Sequence, residues 1–494
     1  MPKHKLSKST YIRGIQCDKS LYLYKHYYNL KDPISKSTQA IFDQGNEIGI
    51  LAQKLFPNGV DASPPNHFRM IDSVLKTKNF IINGETIIYE ATFNFNDVLA
   101  ALDILVKDSD GWKAYEVKSS TKVSDTYIKD AAIQYYTIIN SGIELKDISI
   151  VHINNQYERN GELNVHELFK IESVLSDVLD YLPEIPEKIN HFKNVIQSPE
   201  VPKIKIGAHC TSPYDCDFKG TCWKHIPEYS VFDISGLNIK KKFNLYDKGV
   251  VTIDEINLNE VALNANQELQ VKSEINQSVH IKKDKLNSFL GQLNYPLYFL
   301  DFETFGSGIP LYSKSKPYQQ LVFQYSLHIQ ETSTSVIKHK EFLAYPDKDP
   351  RKDFIQRLIT DCGESGDILV YNIRFERSKL NDLSKGFPEY SKELGKIVNR
   401  LKDLMIPFQK KWYYTPEMKG SYSIKSVLPA LVPNMSYDEL EIKEGGSASN
   451  IFLSMVKGTF VGDKENTRDS LKEYCKLDTL AMVEILKILY SLPK

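Results

Sequence analysis

Three groups of residues in this chain have the types and spacing to do chemistry. Asp301 and Glu303 stand two apart in Leu300-Asp301-Phe302-Glu303-Thr304-Phe305. Residues two apart on a strand point to one face. Two carboxylates side by side next to an apolar run repel each other and resist desolvation, and a divalent cation offsets that cost. The second group is Asp103, Glu116 and Lys118. An acid on each of two neighbouring strands shares one or two metal ions, and a lysine beside them stabilises charge developing at a phosphate or positions the attacking water. The third group is the cysteines: Cys210, Cys216 and Cys222 at even intervals, with Cys17 alone near the N-terminus. Metal ligands or free thiols suit such a chain better than disulfides, and His209 and His225 close by make zinc a candidate.

Regular elements must hold these groups in place. Residues 43–56 read as a helix stopped by Pro57-Asn58-Gly59. Strands are expected over 87–93, 99–107 and 112–119, the last two joined by a turn at Ser109-Asp110-Gly111. That hairpin carries Asp103 on one strand and Glu116 and Lys118 on the other. An amphipathic helix over 125–140 and a strand over 148–153 follow. Residues 231–290 are polar and rich in Asn and Lys, and read as a small helical connector. Leu245 to Val250 there loosely resembles a helix–hairpin–helix turn. Beyond it, the apolar run 295–300 is a buried strand that delivers Asp301 and Glu303 at its end. Paired strands are expected over 321–329 and 337–345, helices over 353–362, 392–404 and 421–431, and a strand over 367–372 that leads into Phe375-Glu376. A final helix over 469–490 closes the chain. The alternation gives an α/β fold class.

Composition narrows the classes. The chain has 494 residues with 41% hydrophobic and 25% charged, values typical of globular domains. Two to four domains are expected, divided at 1–230, 231–290 and 291–494. Net charge is −1, so nucleic-acid binding would need local patches. One such patch runs from Lys410 to Lys425 through Lys411, Trp412, Tyr413, Tyr414, Lys419 and Tyr422, where aromatics could stack on unpaired bases and lysines follow phosphates, or the aromatics could pack a loop onto the domain. No run reaches the roughly 18 apolar residues of a membrane span. The basic segment Met1 to Gly14 lacks an apolar signal core. A cytoplasmic location with no membrane partner is expected.

The order Asp103, thirteen residues, Glu116-Val117-Lys118, then a helix, resembles the core of the PD-(D/E)XK nucleases, in particular their RecB-like branch. One cysteine before that core and three after it is the layout of the iron–sulfur members, which include the CRISPR-associated RecB-like exonucleases. The resemblance spans residues 1 to about 225. It implies a restriction-endonuclease-like fold, Mg2+ or Mn2+ at Asp103 and Glu116, and a [4Fe–4S] cluster on Cys17, Cys210, Cys216 and Cys222, with zinc the alternative. It also implies a role for Gln134, the first half of the family's Q-x-x-x-Y pattern. Position 138 is Ile138 where the pattern has tyrosine, with Tyr135 and Tyr136 nearby. Many members have a metal-binding histidine where Gly49 stands here, and Glu47 or Glu90 could replace it.

In the C-terminal part, Asp301-x-Glu303, Asn372-x-x-Phe375-Glu376 and Tyr474-x-x-x-Asp478 occur in order. This resembles the DEDD exonucleases, the DnaQ-like branch of the ribonuclease-H-like fold, in their tyrosine subtype. The resemblance implies two metal ions among Asp301, Glu303, Asp478 and a fourth acid, with the Tyr474 hydroxyl orienting the attacking water. The fourth acid is Glu376, where the family has aspartate, or Asp403. The joined halves resemble a bacterial family of two-domain proteins. The implied activity is metal-dependent hydrolysis of DNA or RNA, as an exonuclease on single-stranded ends. The alternative is a nucleic-acid-binding scaffold with one or both sites inactive.

Overall fold

The computed structural model describes residues 5–66 and 68–492. By its internal contacts the chain forms two compact units, 1–225 with 307–318, and 226–306 with 319–494. Both are mixed α/β, as the sequence pattern implies.

The first unit is built on a seven-stranded sheet. Its strands are β1 (Leu6–Ser7), β2 (Val60–Asp61), β3 (Ile87–Phe95), β4 (Val98–Asp108), β5 (Gly111–Lys118), β6 (Leu145–Ile153) and β7 (Phe169–Ser173). The order is β2-β3-β4-β5-β6-β7, with β1 parallel to β4. The β4–β5 hairpin closes at Gly111, whose φ of 132° is open to glycine alone at low cost. The Asp125–Asn140 helix crosses from β5 to the parallel strand β6, the βαβ connection. Its Ala131, Ala132, Ile133 and Ile138 enter the core with Leu102, Ala114, Ile148 and Ile150. The core thus fixes the face of β4 and β5 that bears the acids.

The second unit holds β9 (Leu297–Phe305), β10 (Leu321–Gln330), β11 (Lys338–Leu343), β12 (Asp367–Val370) and β13 (Leu401–Asp403), in the order β11-β10-β9-β12-β13. β9 and β12 are parallel, and β10 is antiparallel to β9. The Arg351–Asp361, Ile373–Gly386 and Ser391–Arg400 helices pack on one apolar face through Phe354, Leu358, Leu380, Leu394 and Ile397. The Lys464–Ser491 helix contacts β9, β10 and β11. Among the described residues, no helix is long and apolar enough to cross a membrane.

Three expectations are corrected. β9 does not stop at residue 300 but pairs with β10 as far as Phe305, so Asp301 and Glu303 lie within the strand. The helix expected over 392–404 ends at Arg400, and 401–403 form β13 beside β12, because Leu401 supplies an apolar strand start. The connector expected at 231–290 belongs to the second unit. Its own apolar cluster includes Val231, Leu245, Ile256 and Val271, and β8 (His280–Ile281) pairs with β14 (Tyr413–Tyr414).

Candidate functional site

Asp301 and Glu303 project from β9 on the side that carries Ser326 and Gln324 of β10, their cross-strand partners. The final helix brings Asp478 onto the same spot. Ligand oxygens of Asp301, Glu303 and Asp478 all lie within 4.8 Å of one another. Burial, then repulsion from Asp478, Glu303 and Glu376, holds the Asp301 carboxyl well above its usual range. Burial and the neighbouring acids push Glu303 up to about 8. Burial also raises Asp478, to about 6, against the pull of Tyr437, Lys425 and Tyr474.

Glu376 enters from the first turn of the Ile373–Gly386 helix. It is 1% exposed, burial and then Asp403 push it to about 8, and its Oε2 has no hydrogen-bond partner. A buried carboxylate oxygen without a donor is uncommon. This charge excess is what a divalent cation would relieve, and hard oxygen donors suit Mg2+ or Mn2+.

Asp403, the other candidate for the fourth acid, is used differently. Its carboxylate accepts the backbone N–H groups of Asn372 (3.1 Å), Ile373 (3.2 Å) and Met405 (2.9 Å). It therefore anchors the strand–helix turn that delivers Glu376, and like Glu376 it is not among the three clustered acids. Asn372 holds φ 83° at that turn. Asp403→Ala is expected to cost about 1–2 kcal/mol, the worth of a lost helix cap, and to loosen Glu376; thermal unfolding reads it.

Two further residues stand beside these acids: Tyr437, which no motif marked, and Lys425, from the end of the basic–aromatic stretch. Tyr437, in a loop, donates its hydroxyl to Asp478 Oδ1 at 2.6 Å. Lys425 sets its ammonium 5.3 Å from the Tyr437 ring centre and 5.5 Å from that of Tyr474, and donates to the Lys443 carbonyl at 2.6 Å. Its charge draws down Glu303 and Asp478. Tyr474 is 4% exposed, and burial followed by the charge of Asp478 raises its hydroxyl well above the usual tyrosine range. Gly445 begins the Gly445–Val456 helix against this group; a Cβ there would stand 3.5 Å from Glu303 Oε2. No periodic pattern could have located Tyr437, because it lies on a loop.

The raised acids set a pH dependence. The ordinary pKa of Glu303 and Glu376 is 4.5, and in the fold both stand at about 8. Their folded values exceed the unfolded ones. The stability they contribute is therefore complete below pH 4.5 and lost as pH rises through 8. Without divalent ions, thermal stability should fall across that window, by a few kcal/mol in all. Bound ions favour the ionised forms, so the gap between ion-loaded and ion-free protein should widen with pH. A gap independent of pH would contradict this.

The acids of the first unit are arranged differently. Asp103 of β4 lies one residue beyond the Ile104–Tyr115 pair and accepts the Val117 N–H at 2.6 Å. Burial and then Glu116 raise it to about 7. Glu116 is 2% exposed, and burial opposes its charge. The ammonium groups of Lys118 and Lys8 overcome that and hold it near 2. Both lysines donate to Glu116 Oε1, at 2.8 Å and 2.6 Å, and Lys118 also reaches Asp130 at 2.5 Å. Lys8 and Asp130 were not anticipated. The first follows a helix start at Ser7; the second sits on the helix that carries Gln134. Gln134 is fully buried with neither amide atom hydrogen-bonded. Gly49 faces open space, and Glu90 feels the charges of Lys8 and Glu116.

Cys17, Cys210, Cys216 and Cys222 line one narrow pocket of about 20 Å³, together with His209. His225 is not among its lining residues. No three of the four sulfurs lie within 4.8 Å of one another. Tetrahedral zinc, with Zn–S near 2.3 Å, would bring its sulfurs to about 3.8 Å apart. Hydrogen bonds stitch the early chain to this segment: Gln16 Nε2 donates to the carbonyls of His209 and Tyr214, both at 2.7 Å, and Asp32 N–H to that of Asp217 at 2.7 Å. Arg13 pairs with Asp217.

The stacking surface expected over 410–425 is closed at three of its residues. Lys411, Tyr413 and Tyr414 are buried, with the Lys411 ammonium 4.0 Å from the Tyr414 ring centre. β14 pairs with β8 and turns these side chains inward, because a tyrosine body is worth more in a core than in water. Lys410, Lys419 and Tyr422 are exposed and Trp412 is half-buried.

Residues 298–423 match a protein family described as a domain of unknown function, DUF2779. This stretch holds Asp301, Glu303, Glu376 and Asp403 and stops before Asp478. An uncharacterized protein of Ureaplasma parvum is 26% identical over 279 residues, covering 52% of this chain and 40% of its own length. An uncharacterized protein of Mycoplasma pneumoniae is 26% identical over 220 residues, covering 41% of this chain and 33% of its own. One of Mycoplasma genitalium is 25% identical over 232 residues, covering 43% and 34%. The chain thus spans well under half the length of the curated relatives it matches.

Proposed function

We propose that this protein is a divalent-metal-dependent nuclease whose hydrolytic centre is the acid cluster of the second unit. The observation that carries the reading is the convergence of Asp301, Glu303 and Asp478, from one strand and a distant helix, to within 4.8 Å. Asp301, Glu303, Asp478 and Glu376 would hold Mg2+ or Mn2+. Ions bound there would lower the pKa of water and neutralise charge on the leaving oxygen. Tyr474 orients the attacking water. Tyr437 fixes Asp478 through its hydrogen bond. Lys425 places a positive charge beside the phosphate. The ribonuclease-H-like reading fits the five-stranded sheet with its antiparallel β10 and β11 at one edge. The substrate in this reading is a single-stranded DNA or RNA end, and the setting is the cytoplasm.

The first unit, in the same reading, is a PD-(D/E)XK-like domain with a [4Fe–4S] cluster on its four cysteines. A gripping role for it is the alternative to a hydrolytic one. Lys8 and Lys118 both donate to Glu116 Oε1 and Gly49 offers no ligand, while Glu116 Oε2 has no hydrogen-bond partner and remains open to a metal. Lys118→Ala and Asp301→Ala separate the two sites on an end-labelled strand. Asp301→Ala should abolish cleavage, while Lys118→Ala should mainly weaken substrate binding. Cleavage lost only in Lys118→Ala would move the hydrolytic centre to the first unit. Binding without cleavage in wild type, under Mg2+ or Mn2+, would instead favour the scaffold alternative.

A further inference from the structure

The basic–aromatic segment leaves the Trp412 ring half-open, and its surroundings give that ring a use. Trp412 lines a pocket of about 420 Å³ with Lys285, Phe289, Lys402, Asp403 and Ile373. That volume lies in the range of small-ligand sites. Phe289 meets Trp412 edge to face with ring centres 6.4 Å apart, which fixes the indole plane. Lys285, Lys402 and Asp403 are among its lining residues, and the Asp403 carboxylate already accepts three backbone N–H groups. An aromatic platform with excess positive charge suits a flat, anionic ligand. Ile373 stands about one helical turn ahead of Glu376, so the cavity lies at the start of the helix that carries Glu376.

We propose that this pocket is a nucleotide-binding site, with the base stacked on Trp412 and the phosphate held by Lys285 and Lys402. The choice of a nucleotide among anionic aromatics rests on the hydrolytic reading of the neighbouring acids. The site itself is separate from them, since none of Asp301, Glu303, Glu376 or Asp478 lines it.

The test is equilibrium dialysis of the full chain with AMP, GMP, CMP and UMP in EDTA, which silences the acid cluster. Adenosine and ribose 5-phosphate separate the contributions of base and phosphate. Saturable binding of the monophosphates is expected, weaker for both fragments. Trp412→Ala should lose about tenfold in affinity, the size of one base–aromatic stack, and Lys402→Glu a similar factor. Trp412→Phe should retain most of it, which guards against a merely misfolded alanine variant. No saturable binding by wild type, ribose 5-phosphate binding as tightly as AMP, or wild-type affinity in both Trp412→Ala and Lys402→Glu would overturn the proposal. The divalent-ion thermal shift, measured on the same variants, reports the acid cluster independently, so failure of the pocket is distinguishable from failure of the hydrolytic reading.

Discussion

Asp301→Asn is expected to remove the stabilisation that divalent ions give this protein. At an ion concentration about 100 times its dissociation constant, a bound ion stabilises by about 2.7 kcal/mol. For a unit of this size that raises the unfolding midpoint by roughly 5–10 °C. The asparagine variant should show no such rise. It should also be more stable than wild type when both are ion-free, by roughly 1 kcal/mol, because Asp301 is pressed against Asp478, Glu303 and Glu376. The opposite signs matter. A merely structural aspartate, removed from a packed network, would destabilise the protein with and without ions. Calorimetry on four samples, two proteins with and without Mn2+, distinguishes the cases. An ion-free variant less stable than wild type, with its ion response intact, would show that Asp301 is no ligand.

The second large effect is expected at the cysteines. Structural metal sites contribute on the order of 10 kcal/mol to folding, so one lost thiolate should unfold the unit that depends on it. Cys210→Ser and Cys216→Ser should each abolish the cooperative transition of the first unit and leave that of the second in place. The stitching of Gln16 and Asp32 to the 209–217 segment gives the reason, since that segment is short of regular structure and short of apolar core. Protein prepared without oxygen should be brown and contain iron. A colourless preparation containing zinc would end the iron–sulfur assignment, and wild-type stability in both variants would end any structural role.

Much of this was legible in the sequence because it depends on local patterns. Strand period and turn residues located the 99–119 hairpin to within a residue or two, and the Asp125–Asn140 helix was read to its ends. The acids of β9 were placed on one face by period alone. What failed was decided by tertiary pairing. Where β9 ends depends on β10, and whether residues 401–403 are helix or strand depends on β12. The aromatics at 413–414 carry no mark that distinguishes a stacking surface from a core, and β8 decides the matter by pairing with them. Tyr437 and Lys8 escaped notice for a related reason. Each meets its carboxylate across a long stretch of chain, 41 residues for Tyr437 and 108 for Lys8, and no short motif spans that.

Asp403 is tied to its own turn. Three backbone N–H groups donate to its carboxylate, two to Oδ1 and one to Oδ2. Glu376 has the longer side chain, and its Oε2 has no hydrogen-bond partner. Local hydrogen bonding, which sequence does not display, separates the two.

The central claim is that the Asp301 cluster hydrolyses nucleic acid. The most direct measurement follows release of label from the end of a single-stranded DNA and a single-stranded RNA, with Mg2+, with Mn2+ and with EDTA, for wild type and Asp301→Asn. The account predicts ion-dependent degradation of at least one strand by wild type, none in EDTA, and none by the variant. Undiminished degradation by Asp301→Asn, or an intact substrate under both ions with wild type, would contradict it.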